Sequence, residues 1–234
     1  MPASGAVTRN TLRRQIADAL RDEVLAGRLK PGEEFTVKQI AEQYGVSATP
    51  VREALVDLCA QGLLDSDQHR GFRVHEFSID DYRRMVEARM LVVDALFRRC
   101  EPRTVPPEAE AGAGFGVALV SVRRRGEAAA RAARAGDLDV LIGYDIRYWG
   151  ELGRLMAAND YLADFLHRLR VQAWVFSVPY LRSERDVLGW LWSGHIDLLD
   201  AVTRGDADAA VDVVRAYNAH SLEWADRLES RKPG

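Results

Sequence analysis

Residues 36–56 read TVKQIAEQYGVSATPVREALV, and this stretch has the layout of a helix-turn-helix. Thr36 is a suitable N-cap for a short first helix. Gly45 stands where a helix ends in the left-handed conformation, which glycine adopts without steric cost. Ser47 can cap a second helix, and Pro50 lies in the first turn of that helix, where a missing N–H does little harm.

The second helix of this pair divides into a buried side and an exposed end. Apolar residues recur at helical spacing and predict the buried side: Val51, Ala54, Leu55 and Leu58. The residues left at the exposed N-terminal end are Ser47, Ala48, Thr49 and Arg52. This end of a recognition helix meets base edges and phosphates, so the pattern favours DNA binding.

A wing is predicted directly after the helix pair. Residues 64–67 and 71–76 read as two short strands, and Gln68-His69-Arg70-Gly71 reads as the tip between them. Arg70 is placed to reach a phosphate or the minor groove, and Gly71 suits a tight turn. Ser78 is expected to cap the next helix, so we place a domain boundary after residue 77.

These motifs, with LRDEVLAGRLKPGEEF at residues 20–35 and RGFRV at residues 70–74, resemble the winged-helix domain of GntR-family bacterial transcription regulators. The resemblance implies that residues 1–77 form a winged helix-turn-helix DNA-binding domain. The DNA contacts that it implies come from Lys38, Ser47, Ala48, Thr49, Pro50, Arg52, Arg70 and Gly71. Many family members carry an arginine where this chain has Ala48. Because alanine offers a base only a methyl contact, we expect a different operator preference.

Composition limits the classes of protein that the chain can be. Its 234 residues suit one large or two modest domains, and 47% hydrophobic residues are enough for packed cores. The sequence has no apolar run long enough to span a membrane, and its start, MPASGAVTRN, lacks the apolar segment of a secretory signal. Cys59 and Cys100 fit no disulfide or metal-ligand spacing. We therefore expect a cytoplasmic protein.

The charge balance sets a condition on DNA binding. The net charge is −3, and residues 1–78 contain 10 Lys and Arg against 11 Asp and Glu. A basic surface therefore requires sorting of charges rather than an excess of them. We expect one side to collect Arg9, Arg13, Arg14, Lys38, Arg52, Arg70 and Arg73. We expect the acidic Glu33, Glu34, Asp57 and Asp65 to lie elsewhere. A near-neutral domain also predicts weak non-specific binding and reliance on a dimer.

The rest of the chain is predicted to be all helix. The expected helices lie at about residues 79–100, 108–134, 137–157, 160–178, 184–203 and 206–229. Gly112, Gly114 and Gly116 resemble a phosphate-binding turn, but no strand precedes them, so we interpret them as a loop or helix break. The fold class predicted is mainly α: an N-terminal winged helix-turn-helix followed by a C-terminal all-α bundle.

Residues 79 to about 229 are similar to the C-terminal effector domain (FCD domain) of the FadR-type branch of the GntR family, so we place this domain at residues 78–234. The resemblance implies a ligand-binding and dimerisation domain that holds a divalent metal ion such as Zn, Ni or Mn. Its ligands fall at Asp145, His195, His220 and position 149, where this chain has Trp149. An indole offers no lone pair to a metal. Either the three remaining ligands form an open metal site, or the site is a metal-free, aromatic-lined pocket.

Arg89 falls where the family often places an arginine that faces the ligand. A guanidinium there would bind an effector carboxylate through two hydrogen bonds, whereas the alternative is a salt bridge at the surface or between helices. The effector-binding residues implied are Arg89, Asp145, Trp149, His195 and His220.

The function expected from this sequence is that of a ligand-responsive DNA-binding regulator, most simply a repressor. It would bind an inverted-repeat operator as a homodimer and respond to a small molecule such as an organic acid, with no membrane partner. Two alternatives remain. One is a metal-dependent or acyl-ligand-handling enzyme on the helical bundle, although the sequence shows no catalytic pair. The other is a DNA-binding regulator whose bundle has lost ligand binding.

Overall fold

The computed structural model describes residues 4–67, 70–99, 113–157 and 159–231. The chain divides into two compact units. The first unit comprises residues 1–77, and residues 174–179 group with it. The second comprises residues 78–173 and 180–234. No helix within the described ranges has the length and apolar character needed to cross a bilayer.

The first unit combines three helices with a small antiparallel sheet. Its elements are α1 (Ser4–Leu25), β1 (Glu34–Phe35), α2 (Val37–Tyr44), α3 (Ala48–Ala60), β2 (Leu64–Asp67) and β3 (Gly71–Val74). The strand order is β1-β3-β2, so β3 is paired on both edges. The core contains Leu20 of α1, the predicted apolar face of α3 and Val74 of β3, all at most 1% exposed. This core fixes α3 against the sheet that carries the wing.

The turn between α2 and α3 follows the sequence closely. The Thr36 hydroxyl accepts a hydrogen bond from the Gln39 backbone N–H at 3.2 Å, and the Gln39 side chain accepts one from the Thr36 N–H at 2.7 Å. This reciprocal capping box defines the start of α2. Gly45 ends the helix with φ +65°. Ser47 lies at the expected N-cap of α3, but its side chain makes no capping hydrogen bond.

The wing differs from its prediction in two respects. Strand β3 ends at Val74 rather than at residue 76, because Val74 pairs with Leu64, the first residue of β2, and no strand residue lies opposite its continuation. Strand β1 was not predicted, and it pairs with the other edge of β3 through Phe35 and Phe72. At the predicted tip, Gln68 and His69 lie outside the described residues.

The remaining elements are helical. They are α4 (Ile79–Arg99), α5 (Ala113–Ala135), α6 (Leu138–Ala157), α7 (Asp160–Ser183), a 3-10 helix (Leu188–Trp190), α8 (His195–Thr203) and α9 (Ala207–Ser230). Helix α4 packs along α9, and α5 packs along α6 and α8. The fold is therefore mainly α, as predicted.

The predicted helix break at Gly114 and Gly116 and the predicted end of a helix before Pro179 were both wrong. Helix α5 begins at Ala113, so Gly114 and Gly116 lie inside a helix and do not break it, while Gly112 lies outside the described residues. A glycine costs a helix only about 1 kcal/mol, which packing elsewhere on α5 offsets. Helix α7 continues through Pro179 to Ser183, where a stop at residue 178 was predicted. The proline removes one backbone hydrogen bond, but the buried Val178 and Leu181 on either side hold the helix together.

The predicted helix at residues 184–203 is shorter than expected. Only Leu188–Trp190 and His195–Thr203 are helical; Gly189 lies in the short 3-10 helix and Gly194 directly precedes α8. Glycine has low helix propensity because it loses the most backbone entropy on folding. The effect is that His195 becomes the first residue of α8 rather than a mid-helix residue.

Candidate functional site

The N-terminal end of α3 is presented to solvent. Ser47, Ala48, Thr49 and Arg52 are exposed, as the sequence predicts, whereas Pro50 is buried. Within the described part of the chain, no carboxylate forms an ion pair with Arg52, so its guanidinium is available to a phosphate or a base. Pro50 therefore shapes the first turn of α3 rather than offering a contact surface.

Residues from three elements meet at this end of α3. Lys38 of α2, Ala48 and Arg52 of α3, and Gly71 of β3 line one open groove in the first unit. The structure therefore brings together side chains that lie far apart in sequence. A groove formed by a helix-turn-helix and the base of its wing has the components that a nucleic-acid contact requires: the unpaired guanidinium of Arg52, an exposed helix N-terminus and a small side chain that allows close approach.

The expected separation of charges fails at three of the four acids, and the side chain of Arg9 lies outside the described residues. Glu34 Oε1 lies 3.6 Å from Arg70 Nη1, and Asp57 Oδ2 lies 3.2 Å from Arg13 Nε. Asp65 Oδ2 lies 3.2 Å from Arg73 Nη2, its direct cross-strand neighbour. With about as many acids as bases in the unit, neighbouring positions on the sheet and on packed helices pair opposite charges. These pairs are exposed and contribute little to stability.

Asp65 also anchors the wing through a histidine. His75 Nδ1 lies 2.8 Å from Asp65 Oδ1. Burial acts to raise the pKa of Asp65, but the hydrogen bonds and charges of His75 and Arg73 outweigh it and hold the pKa below its usual value. Asp65 is therefore an ionised cross-link between β2 and the chain that follows β3.

In the second unit, Asp145 is the centre of a buried polar cluster. Asp145 is 2% exposed and His195 is fully buried. Asp145 Oδ1 lies 2.9 Å from His195 Nε2 and accepts a hydrogen bond from the Trp149 indole N–H at 3.1 Å. Its other oxygen, Oδ2, lies 3.6 Å from Arg170 Nη1. Two of the predicted effector residues thus contact Asp145 directly.

Arg170 was not identified from the sequence. It is 3% exposed, and its guanidinium carbon lies 4.4 Å from the Trp149 ring centroid and 4.9 Å from that of Tyr217. Both distances are typical of cation–π contacts. Its position along α7 could have identified it. Ala163 lies seven residues before Arg170 and Ala173 lies three after it, so all three share one face of the helix, and both alanines are buried.

Arg89 faces the interior, as one reading of the sequence proposed, but its partners are neutral. Its Nε donates to Asn218 Oδ1 at 2.9 Å, its Nη1 to the Tyr217 hydroxyl at 3.3 Å and its Nη2 to Ser221 Oγ at 3.3 Å. No carboxylate pairs with Arg89 among the residues that the structure describes. The alternative of an interhelix salt bridge is therefore not what the structure shows.

The third expected metal ligand lies in another cluster. The His220 ring stacks on Trp190 with centroids 5.4 Å apart, and its Nδ1 lies 4.0 Å from Glu223 Oε2. Across the described ranges, no three His, Cys, Asp or Glu side chains are grouped so that they could hold a metal ion. The structure thus brings Asp145 and His195 together and leaves His220 apart.

The residues around Asp145 do not fit a metal ion. Each carboxylate oxygen already has a positive or partly positive neighbour. The Trp149 indole N–H donates to Oδ1, and the Arg170 guanidinium lies near Oδ2. A metal would have to displace a buried cation that already neutralises the carboxylate. The expectation of a metal at this position is therefore not supported by the donor set.

The backbone at His195 is held from α6. The Tyr148 hydroxyl donates to the His195 carbonyl at 2.6 Å, and Tyr148 is fully buried. Burial, followed by the charge of Asp145, raises the pKa of Tyr148 well above its usual value, so the phenol remains a donor. This contact fixes the first turn of α8 and with it the position of the His195 ring beside Asp145.

Comparison with known families matches two parts of the chain. Residues 7–74 match the model described as "Bacterial regulatory proteins, gntR family", and residues 118–220 match the FCD domain model. The first match includes α2, α3 and the wing. The second includes Asp145, Trp149, Arg170 and His195 but not Arg89.

Individual proteins show the same similarity. The chain is 29% identical over 207 residues to a "Probable D-xylose utilization operon transcriptional repressor" of Paenarthrobacter nicotinovorans, covering 88% of this chain and 85% of that protein. It is 42% identical over 66 residues to the "Mannosyl-D-glycerate transport/metabolism system repressor MngR" of Escherichia coli, 28% of either chain.

Solved structures share the fold. E. coli McbR/YncC superposes with a TM-score of 0.68 at 21% identity, covering 93% of this chain and 98% of the other. A GntR regulator from Rhodococcus sp. RHA1 gives the same TM-score of 0.68 at 19% identity, with 94% and 99% covered.

Proposed function

The chain belongs to the GntR family of bacterial regulatory proteins and carries an FCD domain, and from this premise we propose that residues 1–77 bind a double-stranded DNA operator. Both matches are to families of transcription regulators, so the chain is a transcription regulator and not an enzyme. Residues 78–234 are proposed to bind a small-molecule effector and to form a homodimer. Its place of action is then the cytoplasm, where the operator is found.

The observation that carries the DNA-binding proposal is the exposed end of α3. Arg52 projects there without a carboxylate partner among the described residues, and the Ser47 hydroxyl is not used in capping. Lys38 and Gly71 line the same groove. An unpaired guanidinium can bind a phosphate or a guanine edge through two hydrogen bonds, which supports α3 as the recognition helix.

A homodimer is proposed because one near-neutral domain offers few phosphate contacts. With Arg13, Arg70 and Arg73 engaged by acids, a single domain neutralises few phosphates and binds weakly. Two copies that address an inverted repeat double the contacts and set the spacing of the half-sites. The names of two relatives describe repressors, which supports repression as the direction of control.

The effector is proposed to be an organic acid bound in the FCD domain. The supporting observation is the buried Arg89, whose described partners are all neutral. Regulation follows if the effector binds more tightly in one arrangement of the two DNA-binding domains than in the other. An operator complex that no member of an organic-acid panel alters would contradict this part of the proposal.

The decisive variant for DNA binding is Arg52→Ala. A genomic or randomised-operator selection first supplies the operator, and fluorescence anisotropy then measures affinity at several salt concentrations. We expect Arg52→Ala to abolish specific binding because each protomer loses the unpaired guanidinium at the exposed end of α3.

The matched control is Arg28→Ala, which removes the same charge from the same unit at a residue paired with Glu23 at 2.7 Å. It should retain operator binding. Circular dichroism and sizing must show an unchanged fold and oligomeric state for both variants. Wild-type operator affinity in Arg52→Ala would refute the assignment of α3 as the recognition helix.

A further inference from the structure

We propose that the guanidinium of Arg170 stands where a metal ion would have to bind in this FCD domain, and that Arg170 and Arg89 together bind the effector's carboxylate without any metal. The inference rests on the proposed effector-binding function of residues 78–234. It goes further by naming the cation, the second arginine and the chemical class of the ligand.

Arg170 has the contacts expected of a resident counter-ion. Its Nη1 lies 3.6 Å from Asp145 Oδ2, and its guanidinium lies against the faces of Trp149 and Tyr217. A metal-binding histidine at position 149 would offer a lone pair, whereas Trp149 offers an N–H to Asp145 and a ring face to Arg170. The residue that removes a metal ligand thus also stabilises the cation that replaces the metal.

The cluster has more positive than negative charge. Arg89 and Arg170 are 5% and 3% exposed. Within the described residues, Asp145 is the carboxylate beside Arg170, and no carboxylate lies beside Arg89. Apart from the His195 imidazole, two buried guanidiniums face one carboxylate among the described residues. A buried charge without a counter-charge is costly, so an anion that completes the balance is strongly favoured.

The two guanidiniums converge on a single oxygen. Arg89 Nη1 donates to the Tyr217 hydroxyl at 3.3 Å, and Arg170 Nη1 donates to the same hydroxyl. A neutral phenol oxygen is a weak bridge between like charges, whereas a carboxylate accepts from both and neutralises one. Tyr217 therefore marks the position at which the two arginines can be addressed together.

Unused hydrogen-bonding capacity remains in the same cluster. Arg170 Nη2 is buried and has no hydrogen-bond partner in the described part of the chain, and the same holds for His195 Nδ1. Buried polar atoms without partners are rare in folded proteins, and each requires a water, an ion or another bound group as its partner. The donor on Arg170 requires an acceptor, and a carboxylate oxygen supplies one.

Aromatic rings define the rest of the ligand. Trp149, Trp192 and Tyr217 lie together, with centroids 5.7 Å apart for the two indoles and 4.7 Å apart for Trp192 and Tyr217. Such rings favour contact with an apolar or planar group. The ligand class is therefore a carboxylate with an apolar body, for which benzoate is a suitable probe.

The test is titration calorimetry of the full-length protein with benzoate in excess EDTA, with benzamide as the neutral isostere. Benzoate should bind at least about tenfold more tightly than benzamide, because only the carboxylate receives charge-assisted hydrogen bonds. Adding zinc, nickel or manganese in place of EDTA should leave benzoate affinity unchanged.

Variants separate the arginines from the fold. Arg170→Gln alone leaves the buried carboxylate of Asp145 without its counter-ion, so the principal variant is Arg170→Gln with Asp145→Asn, which removes both charges and keeps both side chains polar. It should lose at least about tenfold in benzoate affinity, as should Arg89→Gln. Arg168→Gln, a change at another arginine of the same helix that lies outside the cluster, is the matched control and should bind as the wild type does.

Operator binding by the same proteins distinguishes the two proposals. Suppose that the wild type binds its operator. If benzoate then does not bind, binds no more tightly than benzamide, or binds only when a metal is present, the two-arginine site is refuted and the regulator function still stands. Unchanged benzoate affinity in the Arg170→Gln/Asp145→Asn variant would overturn it as well. Absence of operator binding by the wild type would instead refute the proposed function itself.

Discussion

Replacing Gly71 with alanine should destabilise the wing far more than the same change at Gly45. Both glycines have positive φ, +98° at Gly71 and +65° at Gly45. At Gly71 an added Cβ would lie 2.7 Å from the Phe35 carbonyl oxygen, whereas at Gly45 it would meet nothing within 4 Å. Gly45→Ala therefore measures backbone strain alone, and Gly71→Ala measures strain and collision together.

The two costs can be separated in magnitude. An L-residue in the left-handed region costs about 1–2 kcal/mol, and this applies to both variants. The collision at Gly71 involves backbone rather than a movable side chain, so β1 has to shift away from β3 or β3 has to bend. Forcing such overpacking costs about 1–3 kcal/mol more. We expect Gly71→Ala to lose about 3 kcal/mol of unfolding free energy and Gly45→Ala about 1 kcal/mol.

Urea unfolding followed by circular dichroism measures both variants. Hydrogen exchange of peptides that cover Glu34–Phe35 and Gly71–Val74 then locates the loss. Faster exchange at these strands in Gly71→Ala, with little change in Gly45→Ala, is the expected pattern. Equal destabilisation by the two variants would show that contact with the Phe35 carbonyl is unimportant and would refute the reasoning.

Three other predictions follow from residues described above. Ala48→Arg should shift base preference towards guanine in a randomised-operator selection, because arginine binds guanine through two hydrogen bonds; an unchanged consensus would contradict an exposed reading position at Ala48. Asp65→Asn should make the free energy of unfolding fall less steeply as the solution is acidified. The lowered pKa of Asp65 gives a stabilising contribution that is complete above about pH 4 and is lost as pH falls through the pKa of the folded protein. Urea midpoints of the variant that fall with pH as steeply as those of the wild type would argue against it. Dialysis against EDTA should leave the melting temperature unchanged, because Trp149 and Arg170 already satisfy Asp145; a drop that zinc restores would contradict the metal-free site.

Local sequence signals were sufficient for the helix-turn-helix of the first unit. Thr36, Gly45 and the apolar spacing of α3 each determine structure within a few residues, so capping and periodicity predict them well. Strand β1 was not predicted because its two residues carry no periodic pattern. It forms only by pairing with β3, which lies far along the sequence. The charge pairs of the sheet were missed for the same reason, since register decides which charges meet.

The effector site was only partly accessible from sequence. Spacing on α6 correctly placed Asp145 and Trp149 on one face, and they form a hydrogen bond. Arg170 was missed because an arginine in a long helix is usually solvated, and only packing shows which one is buried. His220 was assigned to the Asp145 cluster by resemblance, but its ring packs on Trp190.

The Trp149 indole and the Arg170 guanidinium both contact Asp145, and this constrains how the domain can evolve towards a metal site. Trp149→His alone would remove the ring that supports Arg170 while leaving that cation beside the carboxylate, so a metal would still be repelled. Losing Arg170 first would leave Asp145 buried without its counter-ion. Neither single step produces a metal site, so the two positions are epistatic. A metal-binding state is reached from this sequence only by passing through a less stable intermediate or by changing both residues together.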